Sequence, residues 1–358
     1  MPEVVNRTSR SKEAVPDIRS QPALEILTQI WRDVLQLPDI DKDADFFDLG
    51  GDSALALELF GKIADRWGQQ FPPVMIYHVR TVAAQAGLLR QPSTPELSPL
   101  ITLKSGQRDS SLFIAPGLGG GPAEFFQLVK YVRTTKTVFG LQPRGIEGFD
   151  TPCERIEDMA EFYLTSILRY QPRGPYYLAG YSLGGLVALE MARALMSKGQ
   201  DIGLLLMMDS YPDIQFLART QRLLLSAQRM MQRGLNFVRP KGTRIRLGGL
   251  PSQDAISTFA PAFDRVRDAA YKALRQYKPQ FYGGAVKFIR AAEVTDFPAN
   301  PSAIWSGLMG KLEVETAPGD HLGMLTNHHE SVALLLNRYL EEATAKAVSR
   351  TQPVENKA

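Results

Sequence analysis

Apolar positions in the first ninety or so residues keep one period, that of a helix. From Pro22, Leu27, Ile30, Trp31, Val34 and Leu35 recur at helical spacing and give one apolar face, which Pro38 ends. A second helix is expected from Ser53 to about Trp67, with Ala56, Leu59, Phe60, Ile63 and Trp67 inward and Glu58, Lys62, Asp65 and Arg66 outward. A short helix at 74–77 and another at 82–89 complete a small four-helix bundle over residues 21–90. Residues 1–20 are polar, carry Arg7, Arg10, Lys12 and Arg19, and read as a disordered arm. Pro92, Pro95 and Pro99 with few large apolar neighbours mark residues 91–100 as a semi-rigid linker.

Beyond the linker the pattern changes to short apolar runs alternating with helical stretches. Strands are expected at 112–115, 137–141, 176–180, 203–208, 285–289 and 312–315, and helices at 123–132, 156–170 and 183–197. Such alternation predicts a mostly parallel sheet covered on both faces, an α/β domain over 101–345, with residues 346–358 as a disordered tail. Ligands of such sheets bind at the carboxyl ends of the strands.

One stretch organises this second domain. The apolar, aromatic run Tyr176-Tyr-Leu-Ala enters Gly180-Tyr-Ser182-Leu-Gly184, and a helical pattern leaves it with Leu183, Val187, Met191, Ala194 and Leu195 on one face. Strand, sharp turn and helix would lift the Ser182 hydroxyl clear of the backbone, which makes it the candidate nucleophile. Gly-x-Ser-x-Gly alone arises by chance in roughly one chain in ten of this length, so the setting carries the argument.

A serine needs a base and the base needs an orienting acid. Asp209 ends the next expected strand, and His321 lies in the loop Pro318-Gly-Asp-His-Leu-Gly323 after the last one. The order Ser, Asp, His is that of α/β-hydrolases, and each member follows a strand. His321 is expected to act as general base and acid, with Asp209 fixing its tautomer; Asp296 is the competing acid. The oxyanion donors are expected to be the N–H of Leu183 and that of Gly117, with Leu118 next, from the run Ala115-Pro-Gly-Leu-Gly-Gly-Gly121. That run lacks the Lys-Ser/Thr of a phosphate-binding loop. His78, in an apolar stretch, reads as structural, and His328 and His329 as solvated or capping residues.

Two resemblances join these readings. The segment Asp45-Phe-Phe-Asp-Leu-Gly-Gly-Asp-Ser53-Ala-Leu55 resembles the attachment motif of acyl- and peptidyl-carrier domains, and its glycine pair favours the peptidyl type. The resemblance implies 4′-phosphopantetheine on Ser53, added by a phosphopantetheinyl transferase. A phosphodiester there would sit at a helix N-terminus, whose free N–H groups favour negative charge. The rival reading is a serine that only caps its helix. From Leu112 to about Leu340 the chain resembles the thioesterase domains that terminate nonribosomal peptide and polyketide assembly lines. The matching stretches are Phe113-Ile-Ala-Pro116, Gly180-Tyr-Ser-Leu-Gly-Gly185, Met208-Asp-Ser-Tyr-Pro212, Tyr277-Lys-Pro-Gln-Phe-Tyr-Gly283 and Gly319-Asp-His321. Ala115-Pro116 departs from relatives with histidine before the proline.

The resemblance implies an α/β-hydrolase fold with a helical lid at about 212–280, behind a small four-helix-bundle carrier domain. It implies that an acyl or peptidyl thioester on Ser53 passes to Ser182 and leaves by hydrolysis or cyclisation. Loading is expected from adenylation and condensation or ketosynthase proteins acting in trans. Leu217, Leu224, Met230, Met231, Leu235 and Phe237 of the lid line an acyl channel or simply pack. The alternatives are a carrier scaffold with a silent hydrolase half, and a general ester hydrolase.

Composition narrows the setting. At 358 residues and 44% apolar content the chain can bury two or three cores, and a net charge of +3 with no basic stripe argues against nucleic acid. Cys153 is the single cysteine, so no intramolecular disulfide forms, and it reads as an ordinary loop residue. With no signal-like leader, no run of eighteen apolar residues and no ligand cluster for a metal, a soluble cytoplasmic protein without metal is expected. Charge is uneven, however. From Ile214 to Gln253 there are Arg219, Arg222, Arg229, Arg233, Arg239, Lys241, Arg244 and Arg246 and no acid, whereas aspartates surround Ser53. The basic lid either receives the acidic carrier or both faces are merely solvated.

Overall fold

The computed structural model describes residues 21–91, 97–223, 225–226, 253–293 and 300–351, with the side chains of 21–22, 53, 109, 253–260 and 348–351 set aside. The expected arm, most of the linker and of the tail, Asp296, and the lid residues Leu224, Met230, Met231, Leu235 and Phe237 lie outside them, as do Arg229, Arg233, Arg239, Lys241, Arg244 and Arg246. The chain divides into two compact units that part between Glu96 and Leu97.

The first unit is helical: α1 (Gln21–Leu35), α2 (Ser53–Trp67), a 3-10 helix (Pro73–Tyr77) and α3 (Val82–Leu89). Its core is the inward face expected from the pattern, with Leu27, Trp31, Leu59, Ile63 and Met75 fully or nearly fully buried. Trp31 brings one polar atom inside, and that N–H donates to Gln85 Oε1 at 2.9 Å, while Gln85 Nε2 donates to the Val79 carbonyl at 3.1 Å. His78 is half-buried; burial and then Arg80 lower its pKa to about 4, so it is neutral at pH 7.

Ser53 is the first residue of α2, and the cap is its neighbour. Asp52, extended at φ −134° and ψ −176°, accepts the N–H groups of Ala54 and Leu55 on one carboxylate oxygen, both at 2.9 Å. Thus two donors expected to face a phosphodiester are already taken. Replacing Asp52 by alanine should cost the unit about 1 kcal/mol. Hydrogen exchange at the start of α2 should quicken by the matching several-fold factor.

The second unit is a seven-stranded sheet in the order β1-β3-β2-β4-β5-β6-β7. Its strands are β1 (Leu100–Lys104), β2 (Gln107–Ala115), β3 (Lys136–Leu141), β4 (Tyr176–Tyr181), β5 (Ile202–Met208), β6 (Tyr282–Ala291) and β7 (Met309–Ala317). Every neighbouring pair is parallel except β1 with β3. β1 begins inside the segment assigned to the linker and adds an antiparallel edge that the apolar pattern did not announce.

Helices cover both faces, so β3 and β4 are buried along their whole length. On one face, α5 (Ile156–Tyr170) and α6 (Leu183–Ser197) pack Ile156, Tyr163, Ile167, Leu186 and Leu189 against the sheet. On the other, α4 (Phe126–Lys130) and α10 (His329–Thr351) contribute Leu128, Val129, Val332, Leu336 and Tyr339. The helix expected at 123–132 is split, a 3-10 turn Pro122–Phe125 running into α4. The described part of the expected lid includes α7 (Gln253–Gln276), whose end is fixed where the Tyr277 hydroxyl donates to Glu190 at 2.6 Å. Short α8 (Pro301–Trp305) and α9 (Gly323–Thr326) complete the unit. Among the described residues no helix is long and apolar enough to cross a membrane.

Candidate active site

Ser182 stands between β4 and α6 at φ 54° and ψ −120°, a backbone state that L-residues rarely adopt. The turn is sharp because the strand and the helix approach without side chains between them. A Cβ at Gly180 would lie 2.0 Å from the Gly184 carbonyl oxygen, and one at Gly184 would lie 2.1 Å from that of Ala115. The Ser182 N–H donates to the Met208 carbonyl at 2.8 Å, which ties the turn to the end of β5.

Asp209 follows β5 directly, also with positive φ at 46°, and is 2% exposed. Its Oδ1 accepts the Ala291 N–H at 3.1 Å from the end of β6, and its Oδ2 meets His321 Nδ1 at 2.7 Å. The Tyr211 hydroxyl also bonds Asp209; burial first, and then the Asp209 charge, push that phenol above its ordinary value, so it remains a donor.

His321 reaches the site from the loop after β7, where Asp320 Oδ1 accepts the Gly323 N–H at 2.6 Å and fixes the turn into α9. Its Nε2 lies 3.1 Å from Ser182 Oγ. Tyr181 holds the imidazole from below, with ring centroids 4.9 Å apart at 24° and its hydroxyl donating to the His321 carbonyl at 2.6 Å. The structure therefore brings Ser182, His321 and Asp209 into one hydrogen-bonded file, from three strand ends. Chemically, the file can take a proton from the serine and return it to a leaving group.

The expected oxyanion pair is only half as drawn. Leu183 opens α6, where the first N–H groups have no partner in the helix. The Gly117 N–H, expected to be the second donor, is instead given to Glu124 Oε2 at 2.9 Å. Its location still suits the role, since Gly117 and Leu183 line one cleft. Phe162, Tyr163 and Val266 make the cleft apolar, with Arg144 as its cation. Cys153 lines it too, and burial pushes its thiol up, away from the reactive thiolate. Tyr181, Tyr211 and Glu124 were missed in the sequence. The first two sit beside named residues, but tyrosine next to Ser182 or near Asp209 carries no signal until the fold shows its direction.

At the other candidate position, the surroundings of Ser53 fit a phosphopantetheine arm. Gly50 and Asp52 are exposed, and at Gly50 even an added Cβ would meet nothing within 4 Å. Ser53 thus lies at an open helix start near Gly50, whose backbone can pass close to a phosphodiester, whereas a Cβ at Gly51 would lie 2.3 Å from the Phe46 ring.

Comparison with known proteins agrees with both units. Residues 110–340 match the family model described as thioesterase domain, and residues 25–89 match that of the phosphopantetheine attachment site. Malpibaldin synthetase of Mortierella alpina is 31% identical over 86% of this chain, which spans 6% of that protein. The dimodular nonribosomal peptide synthase of Bacillus subtilis is 36% identical over 54% of the chain, which spans 8% of it. The chain thus corresponds to a small part of the length of these relatives. In fold it is similar to a four-domain nonribosomal peptide synthetase crystallised with AMP and glycine, with a TM-score of 0.54 and 22% identity over 94% of this chain and 27% of that one.

Proposed function

From a chain that belongs to the thioesterase domain family and carries a phosphopantetheine attachment domain ahead of it, we propose that Ser182 receives an acyl or peptidyl group from the arm on Ser53 and releases it. The observation that carries this reading is the file of Asp209, His321 and Ser182, at 2.7 and 3.1 Å, in the same chain as the attachment serine. The arm supplies a thioester, whose carbonyl is electrophilic enough to need no metal.

His321 Nε2 takes the Ser182 proton as Oγ attacks the carbonyl carbon. Asp209 keeps the proton of His321 on Nδ1 and stabilises the imidazolium that forms. The negative oxygen is met by the Leu183 N–H and by the glycine-rich turn after β2. When the C–S bond breaks, His321 returns its proton to the departing thiol, and an ester on Ser182 remains. Water, or a nucleophile within the acyl group, then gives its proton to His321 and attacks the ester. Ser182 leaves as the hydroxyl and the product is a free acid or a ring.

The reading makes the chain part of a nonribosomal peptide or polyketide assembly line, primed by a phosphopantetheinyl transferase and loaded by adenylation, condensation or ketosynthase domains, on the same polypeptide or a separate one. The relatives' names support the peptide class. The reading puts the work in the cytoplasm, where coenzyme A, the source of the arm, is at hand.

Loading Ser53 with an acyl-pantetheine and following intact mass tests the proposal. In the wild type the acyl mass should leave the chain. In Ser182→Ala it should persist on Ser53, release being slowed by about 10⁴-fold or more. Persistence on the wild type would instead favour a scaffold with a silent hydrolase half.

A further inference from the structure

The catalytic file leaves a part-buried carboxylate beside the glycine-rich run unused. Glu124, on the 3-10 turn after the glycine-rich run, accepts the Gly117 N–H on Oε2 at 2.9 Å. Its Oε1 lies so near Gly120 that a Cβ there would sit 1.7 Å away. The run is therefore wrapped on this carboxylate, closed by the Gly120 N–H donating to the Gly117 carbonyl at 3.1 Å. Among the described residues no cation pairs with Glu124. Arg267 of α7 lays its aliphatic stem on Gly119 and gives its guanidinium to Asp264 and Asp268. The other titratable groups nearby are Tyr181, whose phenol is pushed up by burial first and then by the charges of Glu124, Asp209 and Asp320, His321 stacked on it, and Arg144 and Cys153 in the cleft that Gly117 and Gly119 line.

Gly117 lines the same cleft as Leu183, where it can offer a second oxyanion donor. It follows β2, the strand paired with β4, and Gly184 of the nucleophile turn packs on the carbonyls of Ala115 and Pro116. A backbone N–H is one donor, and it cannot be given fully to a carboxylate and to an acyl oxygen together.

We propose that Glu124 is a positioning residue that withholds the Gly117 N–H in the resting enzyme and releases it as the acyl oxygen gains charge, so that the oxyanion pair is complete only during attack. The inference rests on Ser182 being the nucleophile. Its physical basis is charge: an oxyanion and an ionised Glu124 on the same N–H repel, and the pair forms when Glu124 is protonated or turns away. Burial pushes Glu124 up to about 7, against the Gly117 bond that pulls it down, so the neutral acid is within reach near neutrality. The sign follows. Below about 7 the neutral acid is a poor acceptor and frees the donor, and above it the carboxylate holds the donor back. His321 has the opposite demand, since it must be neutral to accept a proton.

The test compares wild type, Glu124→Gln and Glu124→Ala in two reactions from about pH 5.5 to about 9. One is phosphonylation of Ser182 by an alkyl fluorophosphonate, in which the serine displaces fluoride and the phosphoryl oxygen occupies the oxyanion position. The other is hydrolysis of an acyl-N-acetylcysteamine thioester. Wild-type rates should fall above about pH 7, and Glu124→Gln, neutral and of the same shape, should abolish the fall. It should gain about 3- to 10-fold at the alkaline end, in kcat rather than KM, and Glu124→Ala should gain likewise. A falling limb that survives in Glu124→Gln, or a loss by one factor at every pH in both variants, would overturn the proposal. If the wild type is phosphonylated but releases nothing from Ser53, the proposed function fails while the labelling profiles still decide on Glu124. If Ser182 is not labelled at all, both fall.

Discussion

Asp209→Asn should lower kcat for acyl release by about 10⁴-fold and leave KM nearly unchanged. The geometry of Asp209 gives the reason. Its Oδ1 is held by the Ala291 N–H and its Oδ2 by His321 Nδ1. An asparagine must keep its oxygen toward Ala291, because an amide NH₂ there would face another donor. Its NH₂ then faces His321 Nδ1 and forces that nitrogen to be the acceptor. The imidazole proton moves to Nε2, the atom 3.1 Å from Ser182 Oγ, where a base is needed and a donor now stands. Single-turnover transfer from a loaded Ser53 reads the effect, with a melting curve to show that the fold is retained. A loss below about 10²-fold would mean that Asp209 is not the orienting acid.

Gly184→Ala should also be damaging, through packing. The new Cβ would lie 2.1 Å from the Ala115 carbonyl oxygen and 2.5 Å from that of Pro116. Both are backbone atoms and cannot swing aside, so α6 or the end of β2 must move. The expected cost is about 1–3 kcal/mol of stability. Because Leu183 moves with α6, phosphonylation of Ser182 should slow by about 10²-fold as the donor is misplaced. Gly121→Ala is the control, since a Cβ there meets nothing within 4 Å. Urea midpoints and labelling rates should separate the two variants, and equal behaviour would remove close approach as the reason for glycine at 184.

How far the sequence revealed all this depended on the kind of signal. The turn at Ser182 was legible because a buried strand, two glycines and a helical face leave one way to run the chain. Asp209 and His321 were legible because a parallel sheet gathers its carboxyl ends, so residues far apart in sequence meet there. β1 was not, since Leu-Ile-Thr-Leu-Lys after a proline is a short edge segment whose identity comes from pairing with β3. At the start of α2, Asp52 and Ser53 are both able to cap, and the backbone angles at Asp52 decide between them. The direction of the Gly117 N–H was hidden for a different reason. A run of glycines declares that the backbone is free to turn, and the side chain that chooses the turn is Glu124, seven residues on.

Both Ser182 and Asp209 hold positive φ, a conformation that glycine adopts at no cost and that other residues occupy at about 1–3 kcal/mol each. A lineage released from the need to turn over its substrate would have an open downhill route at both places, since glycine removes the strain and the chemistry together. On the proposed function, serine and aspartate are held at these two points at that cost in stability, and their replacement by glycine should raise the melting temperature as it abolishes acyl release.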